Sequence, residues 1–460
     1  VSQLHPIISP IMLVLSDSSL TDPSVFSEIV GMNRLFFAVV PFFAVGTLIA
    51  TLFIIRDPGA QPERKKESII QYDFDAVVDR SQNYAAKVEE AILHYGTNDV
   101  IPLWIADMDF KTAPCIVDAI KARANQGIFG YTWRTPKYFE AIAAWQQKRN
   151  GWLPDTEHMA FAPGVVPGMR MMLTMFTQPA DKILIQQPVY HPFADVVNNT
   201  GRQLVVSPLK RDEDGRYTMD LEDFAKKAAD GVKYFILCNP HNPVGRVWTR
   251  EELKAVGDIC VKHGVRIISD EIHSDLMLDG HKHIPMASVS PEIAAITTTC
   301  IAPSKAFNLA GLQSSTIVYD TVEHKDAYVA ELKRMDIARN NCFSLVATMA
   351  AYEQGEEWLD QLLVYLSGNM RFIREFCAEH LPELKPNAPE ATYLCWIDAR
   401  ALGMDDAALK KFCVEKAGVA FGEGSEFGLG GSGFLRLNAA CPRSVIQKAL
   451  TQLEAAVYNY

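Results

Sequence analysis

Two short stretches of this chain are the most informative about its fold: VRIISDE at residues 265–271 and AITTTCIAPSK at residues 295–305. Each is an apolar run that ends in polar residues or proline, as expected of a buried strand in a parallel sheet. Asp270 stands at the end of the first run, and Lys305 follows the end of the second. In open α/β sheets, ligands collect outside the carboxyl ends of the strands. The two residues therefore predict a binding site at one edge of a sheet.

Similar apolar runs recur along the chain and alternate with helical stretches. They are KILIQQP from Lys182, RQLVVSP from Arg202, KYFILCNP from Lys233 and STIVYD from Ser315. One intervening helix is predicted to start at a capping box of Thr249 and Glu252 and to end at Gly264. This alternation predicts βαβ units and a mainly parallel sheet, which is an α/β fold. After about residue 345 long helices and then strands follow, which predicts a smaller α+β domain.

The sequence predicts six parts. They are an N-terminal segment at 1–34, a transmembrane helix at 35–55, a linker at 56–71, the first part of the small domain at 72–112, the large domain that carries Asp270 and Lys305 at 113–345 and the C-terminal part of the small domain at 346–460.

The transmembrane prediction comes from LFFAVVPFFAVGTLIATLFII at residues 35–55, which carries no charge. Its length matches the roughly 20 residues that a helix needs to cross a bilayer. Arg56, Arg64, Lys65 and Lys66 follow it, so the positive-inside rule predicts that the body from residue 72 onward is cytoplasmic and that residues 1–34 are extracytoplasmic. A buried helix is the alternative. Because the chain begins with Val, a membrane anchor, a fusion remnant and a misassigned start all stay open.

Composition excludes several classes of function. The chain has 460 residues and a formal net charge of −11, which argues against a nucleic-acid surface because phosphate binding needs clustered Lys and Arg. Its nine cysteines are scattered and contain no CxxC pair, so neither a disulfide framework nor a metal site is predicted. The class of function that composition favours is therefore chemistry on a small molecule.

The pairing of a lysine with an aspartate at neighbouring strand ends indicates an electron-sink cofactor. Such a cofactor needs a lysine for covalent attachment and a carboxylate that keeps its pyridine nitrogen protonated. Taken singly, Lys305 and Asp270 are more simply interpreted as solvated surface groups. Their shared location argues against that interpretation. CNPHNPVG at residues 238–245, taken alone, is equally a simple loop.

Together the motifs resemble the fold-type I pyridoxal-phosphate enzymes. The motifs, in that family's order and approximate spacing, are HNPVG at 241–245, SDEIH at 269–273, PSKAFNLAG at 303–311 and FLRLN at 434–438. The resemblance spans roughly residues 72 to 460. WIADMDF from Trp104, FGYTW from Phe129, TYLCWID from Thr392 and RLNAACPRS from Arg436 look especially like the MalY/PatB branch of cystathionine β-lyases. The resemblance implies an aspartate-aminotransferase-like fold, pyridoxal 5'-phosphate as cofactor and a homodimer with a shared active site.

The resemblance also implies a role for each residue around the cofactor ring. Lys305 binds the cofactor covalently and, once displaced by substrate, removes the Cα proton. Asp270 pairs with the pyridine nitrogen, and Asn242 donates to the phenolic oxygen. Tyr190 stacks on the ring, where the alternative is a half-buried aromatic beside two prolines. His273 stands where many aminotransferases have Tyr, so it is placed among the cofactor-binding residues while the group that polarises the phenolic oxygen stays open.

Other residues are expected at the phosphate and at the substrate. Gly164 permits a turn into a helix whose first amides, on Val165 and Val166, are free to bind an anion. Ser304 adds a hydroxyl, and Tyr131 of the partner subunit reaches the phosphate, although local packing would equally explain this tyrosine. Gln313 replaces a phosphate-binding Arg of several relatives, so the phosphate meets fewer charges.

The α-carboxylate of the substrate is expected to meet Arg436, because a planar guanidinium matches a carboxylate in bidentate fashion. The backbone of Ala106 is expected to meet the same carboxylate. For Arg436 the alternative is a surface arginine at a strand end.

Removal of the Cα proton leads to either of two reactions. We favour β-elimination of L-cystathionine or other cysteine S-conjugates to a thiol, pyruvate and ammonia, because the finer motifs indicate that branch. An aminotransferase of neutral or aromatic amino acids is the alternative. A third possibility, a non-catalytic regulatory protein on the same fold, is disfavoured by the joint presence of Lys305, Asp270 and Arg436.

Overall fold

A computed structural model of the chain describes residues 72–459. The strands are β1 (Ile101–Leu103), β2 (Met159–Ala162), β3 (Lys182–Ile185), β4 (Gln203–Val206), β5 (Lys210–Arg211), β6 (Tyr217–Thr218), β7 (Val232–Cys238), β8 (Arg266–Asp270), β9 (Thr297–Ile301), β10 (Ser315–Val318), β11 (Lys385–Pro386), β12 (Leu394–Asp398), β13 (Val419–Glu423) and β14 (Phe434–Asn438).

The helices are α1 (Ala86–Glu89), α2 (Ala91–Tyr95), α3 (Pro114–Asn125), α4 (Pro136–Asn150), α5 (Val165–Phe176), α6 (Pro192–Asn199), α7 (Leu221–Ala228), α8 (Arg250–His263), α9 (Pro291–Ala294), α10 (Val322–Arg334), α11 (Cys342–Gln354), α12 (Glu356–His380), α13 (Asp406–Glu415) and α14 (Arg443–Tyr458). The predicted segments 1–34, 35–55 and 56–71 lie outside the described residues. Between residues 72 and 459 no helix is both long and apolar enough to cross a membrane.

Seven strands form a large sheet in the order β2-β10-β9-β8-β7-β3-β4. The five strands from β9 to β4 run parallel, while β10 is antiparallel to both of its neighbours. The predicted mainly parallel sheet is thus confirmed. In its centre Asp270 of β8 lies in register with Cys238 of β7 and with Cys300 of β9. The carboxyl ends of three adjacent strands therefore meet at one edge.

The uninterrupted apolar character of the central strands follows from helices on both faces of the large sheet. Ile267 and Ile268 are consecutive in β8, point to opposite faces and belong to different buried clusters. The helix after β7 begins as predicted, since Thr249 and Glu252 form a complete capping box, and it ends at Gly264 in the left-handed conformation. Strand and helix limits here follow directly from local sequence.

Five strands form a small sheet in the order β1-β13-β14-β12-β11. β1 precedes the large sheet in the chain, yet it pairs in parallel with β13. The remaining pairs are antiparallel, and within them Arg436 of β14 lies opposite Trp396 of β12 and Gly422 of β13. The pairing of β1 agrees with a small domain built from both ends of the body, although the boundaries drawn near residues 112 and 345 stay predictions.

Candidate active site

A cavity of about 480 Å³ lies at the carboxyl ends of β7, β8 and β9. Residues of both sheets line it. Ten of the eleven residues predicted for the site are among them, namely Ala106, Val165, Val166, Tyr190, Asn242, Asp270, His273, Ser304, Lys305 and Arg436. The structure thus brings together residues that are up to 330 positions apart in the chain.

Tyr131 is the predicted site residue that does not line this cavity. It lies in a segment without regular structure, and 95% of its surface is exposed in the single chain. The guanidinium of Arg339 sits 5.5 Å from its ring centroid. Since its expected role is exercised in the partner subunit, that role stays a prediction.

Asp270 sits at the end of β8 with only 5% of its surface exposed. The backbone amide of Ile272 donates to its Oδ1 at 3.1 Å. Burial raises the pKa of the Asp270 carboxyl to about 7, against the opposing effects of that amide and of Lys305. A carboxylate in this position strongly favours a cationic group placed against it.

The amine of Lys305 donates a 2.7 Å hydrogen bond to the carbonyl oxygen of Ala106. Desolvation, and then the positive charge of Arg436, lowers the pKa of Lys305 to about 8. The hydroxyl of Tyr393 donates to the same carbonyl at 2.9 Å. Sequence reasoning did not single out Tyr393, although it lies in the quoted motif TYLCWID.

The Ala106 carbonyl is held in place by its neighbours in the loop. Asn438 Nδ2 donates to the carbonyls of Ile105 and Asp107, each at 2.6 Å. One side-chain amide therefore fixes the two peptide oxygens that flank Ala106. Asn438 was likewise not predicted as a functional residue, and its place in the motif FLRLN was the available signal.

Arg436 projects from β14 into the cavity and is buried, with 6% of its surface exposed. Its Nη2 donates to the Trp104 carbonyl at 2.7 Å, and its Nη1 to Asn242 Oδ1 at 3.4 Å. The ring of Phe427 lies 4.8 Å from the guanidinium carbon. Its Nε is buried without a hydrogen-bond partner among the described residues. A buried guanidinium with unused donors suits a carboxylate ligand.

His273 is buried beside Tyr393, with 6.1 Å between the two ring centroids. Burial lowers its pKa well below the ordinary value, and the positive charges of Lys305 and Arg436 act in the same direction. The imidazole is therefore neutral at physiological pH. Its Nδ1 is buried and has no hydrogen-bond partner in the described part of the chain, so it remains able to meet a polar ligand atom.

The cavity wall formed by the start of α5 suits a phosphate group. Gly164 precedes the helix with an extended backbone, and no side chain caps the first turn. Val165 and Val166 both line the cavity, as do Ser304 and Gln313. Free amides at a helix N-terminus and a hydroxyl bind anions. Together with Asp270, Lys305 and the atoms Arg436 Nε and His273 Nδ1, which are unpaired within residues 72–459, these residues fit pyridoxal 5'-phosphate.

Several cavity residues were not predicted from sequence as parts of the site. They include His94, Trp104, His191, Cys238, Glu426 and Phe427. Trp104 stands in the quoted motif WIADMDF, and Cys238 opens CNPHNPVG. Glu426 and Phe427 lie in a single turn of 3₁₀ helix between β13 and β14, and no periodicity or motif marks that turn. Only the tertiary structure places them here.

Comparison with known proteins agrees with this geometry. The sequence profile of the family described as Aminotransferase class I and II matches residues 98–453, so the chain belongs to that family. Among curated proteins it is similar to Cystathionine beta-lyase PatB of Bacillus subtilis (strain 168), with 42% identity over 386 residues, which cover 84% of this chain and 100% of that protein. The resemblance drawn from the motifs is thus confirmed.

Solved structures give the same result. One is a pyridoxal-phosphate-bound putative aminotransferase from Clostridium difficile 630, with 51% identity and a TM-score of 0.83 over 84% of this chain and all of that one. Another is the pyridoxal-phosphate-bound C-S lyase from Staphylococcus hominis, with 36% identity and a TM-score of 0.79 over 84% of this chain and 98% of that one. The predicted aminotransferase-like fold is confirmed.

Proposed function

We propose that this chain is a pyridoxal-phosphate-dependent carbon–sulfur β-lyase that cleaves L-cystathionine or other cysteine S-conjugates to a thiol, pyruvate and ammonia. The observation that carries the proposal is that Lys305, Asp270 and Arg436 line one cavity. The names of two relatives support the same reaction, because one is a cystathionine beta-lyase and the other a C-S lyase. The assembled cavity also argues against a non-catalytic role. The chain is an enzyme with pyridoxal 5'-phosphate as its cofactor.

Two residues act directly on the substrate. Arg436 pairs with the α-carboxylate and so fixes the orientation of Cα. Lys305 takes the Cα proton, and a pKa of about 8 leaves part of its amine neutral and able to accept that proton near neutral pH. The cofactor, when bound, supplies the electron sink for the negative charge left at Cα. The bond from Cβ to sulfur then breaks, and the thiolate departs with the electron pair and takes up a proton. The aminoacrylate that is left tautomerises to an imine, and water hydrolyses this imine to pyruvate and ammonia.

Four residues are assigned to the cofactor ring. The Asp270 carboxylate holds a proton on the pyridine nitrogen, since a cation against this buried group offsets its desolvation. Asn242 donates to the phenolic oxygen, and Tyr190 lies against the ring. The backbone amide of Tyr190 donates to the Asn242 carbonyl at 3.0 Å, which keeps these two residues together. His273 contacts the cofactor as a neutral imidazole.

The phosphate is assigned to the amides of Val165 and Val166, the hydroxyl of Ser304 and Tyr131 of the partner subunit. This last assignment requires a homodimer. It is supported by the exposed side chains around Tyr131, since Ile128, Phe129 and Trp133 expose between 61% and 78% of their surface in the single chain. Exposed apolar groups this close together indicate an interface. Sedimentation of the purified protein as a monomer would contradict it.

The uncharged residues 35–55 are proposed to tether the enzyme to a membrane, with the catalytic body in the cytoplasm. The charges that follow at Arg56, Arg64, Lys65 and Lys66 support this orientation. The full chain should then need detergent to stay in solution, while a chain starting at residue 68 should not. Equal solubility of the two chains in buffer would contradict the tether.

An aminotransferase of neutral or aromatic amino acids is the second candidate. It is favoured by one observation, namely that the structure at 51% identity is described as a putative aminotransferase. Both reactions begin with loss of the Cα proton, so the residues around Lys305 serve either. The reactions differ in their need for a keto-acid acceptor, which only transamination requires.

The first experiment is an absorbance spectrum of the purified protein, followed by addition of L-cystathionine with coupled detection of pyruvate. The proposal predicts a visible cofactor band that Lys305→Ala abolishes, and pyruvate formed without any keto acid. Lys411→Ala, which removes a lysine with a 71% exposed side chain on α13, is the matched control and should change neither result. A band with turnover only after a keto acid is added would favour the aminotransferase, and a protein without a band would contradict the cofactor assignment.

A further inference from the structure

The cavity has a buried end and an exposed rim that differ in chemistry. Asn242, Asp270 and Arg436 form the buried end, where each exposes 6% or less of its surface. Glu426 and His94 line the same cavity but remain exposed. Among the described residues that line it, Asp270 and Glu426 are the only carboxylates. Since Asp270 belongs to the cofactor, Glu426 is the carboxylate left to meet the substrate.

Glu426 lacks a direct neutralising partner. Its carboxylate makes no hydrogen bond and no ion pair with a residue between 72 and 459, whereas the carboxylate of Glu423, at the end of β13, pairs with Lys410 at 2.5 Å. Desolvation, and then repulsion by Glu423, raises the pKa of the Glu426 carboxyl. Through-space interactions with Arg436, Lys410 and His94 lower the same pKa. A cation next to the Glu426 carboxylate would stabilise its negative charge and so offset both the desolvation and the repulsion by Glu423.

The position of Glu426 relates it to the substrate side chain. Its neighbour in the chain, Phe427, packs at 4.8 Å on the guanidinium of Arg436, which clamps the α-carboxylate. With the carboxylate held by Arg436 and the amino group at the cofactor, the side chain on Cα is the part of the substrate free to extend along the remaining cavity wall. That wall includes Glu426, Trp104 and His94.

We infer that Glu426 is a specificity-determining residue that selects substrates whose sulfur substituent ends in an ammonium group. Such a group occurs in a simple aminoalkyl thioether and in a thioether whose far end is itself an amino acid. The inference rests on the lyase proposed above and deepens it by naming the preferred class of cysteine S-conjugate. Neutral alkyl and anionic carboxyalkyl thioethers are the disfavoured classes.

The test compares three substrates that differ in the charge of the sulfur substituent: S-(2-aminoethyl)-L-cysteine, S-propyl-L-cysteine and S-carboxymethyl-L-cysteine. Each yields pyruvate, so the readout is the ratio of kcat/KM values. In the wild-type enzyme the aminoethyl substrate is expected to be preferred, and Glu426→Gln should reduce its preference over the propyl substrate by about tenfold. Glu426→Lys should favour the carboxymethyl substrate.

Glu423→Gln is the matched control. It makes the same change of charge three residues away, on a side chain that does not line the cavity, and should leave the ratio unchanged. An unchanged ratio in Glu426→Gln, or an equal change in Glu423→Gln, would overturn the inference.

A binding measurement separates this inference from the lyase proposal. L-Lysine is the analogue of S-(2-aminoethyl)-L-cysteine in which methylene replaces sulfur, so it cannot lose a thiolate, and L-norleucine is a neutral amino acid of similar length. Their dissociation constants follow from the change in cofactor absorbance, without turnover. Weaker binding of lysine relative to norleucine in Glu426→Gln supports the inference even if no thioether yields pyruvate. Equal effects on both ligands contradict it even if the lyase reaction is established.

Discussion

The amine of Lys305 and the carbonyl oxygen of Ala106 are 2.7 Å apart, although 199 positions separate the two residues in the chain. This hydrogen bond joins the turn after β9 in the large sheet to the loop after β1 in the small sheet. Because Asn438 of β14 and Tyr393 next to β12 hold that loop, the position of the amine depends on both sheets. The Lys305 amine is thus positioned by residues remote from its own strand.

Asn438→Ala removes the donor to the carbonyls of Ile105 and Asp107. We expect kcat to fall by roughly ten- to a hundredfold with the cofactor still bound, because a loop displaced by about 1 Å misplaces the amine. Steady-state kinetics and the absorbance spectrum measure the two properties. Asn387→Ala is the control, since this asparagine donates to the Val244 carbonyl at 2.7 Å and accepts from the Trp396 amide, and these bonds do not involve the loop around Ala106. An equal loss of kcat in both variants would indicate general destabilisation instead.

Arg436→Lys replaces the planar guanidinium with a single ammonium. We expect KM to rise by about a hundredfold, because a lysine cannot form two parallel hydrogen bonds to the α-carboxylate. Arg400→Lys is the comparison, as Arg400 packs on Phe434 of the same sheet but its side chain is 57% exposed. Its KM should remain within twofold of the wild-type value. A KM close to the wild-type value in Arg436→Lys would contradict the pairing of Arg436 with the substrate α-carboxylate.

Asp270 makes the stability of the cofactor-free protein depend on pH. Its pKa is about 7 in the folded protein and near 3.8 otherwise, so folding favours its protonated form and stability is lost as the pH rises through this interval. Asp270→Asn removes the free-energy cost of burying an ionised carboxylate. We expect this variant to gain roughly 2–4 kcal/mol in free energy of unfolding at pH 8, and clearly less at pH 5. Denaturant unfolding of the cofactor-free protein at both pH values tests this, and an equal gain at both would refute it.

Lys87 is fully buried and anchors the segment before β1. Its amine lies 2.9 Å from Asp109 and 3.5 Å from Asp107, and Arg80 pairs with both carboxylates. Lys87→Met should lower the free energy of unfolding by about 2–3 kcal/mol, because it leaves two carboxylates with one cation. Lys148→Met breaks an ion pair with Glu356 in which the lysine is 60% exposed, so it should cost about 1 kcal/mol or less. Urea unfolding compares the two, and equal losses would contradict the argument.

The sequence was enough to predict the alternation of strands and helices, the approximate ends of β7, β8 and β9, and the shared sheet edge of Asp270 and Lys305. These follow from local rules, because apolar periodicity and capping are properties of neighbouring residues. Lys305 and Asp270 could be placed at one edge since parallel strands align their carboxyl ends. Motif order then indicated the family.

The remaining side chains around the cavity are brought there by tertiary contacts. Glu426 lines the cavity, and Tyr393 and Asn438 hold the loop around Ala106 that forms one of its walls. All three belong to the small sheet and its turns, and they reach the site because that sheet lies against the ends of the large one. No local pattern encodes such an approach, since the contact is between residues far apart in the chain. The same holds for pKa values, because desolvation of Asp270 and Lys305 arises from atoms that folding brings around them.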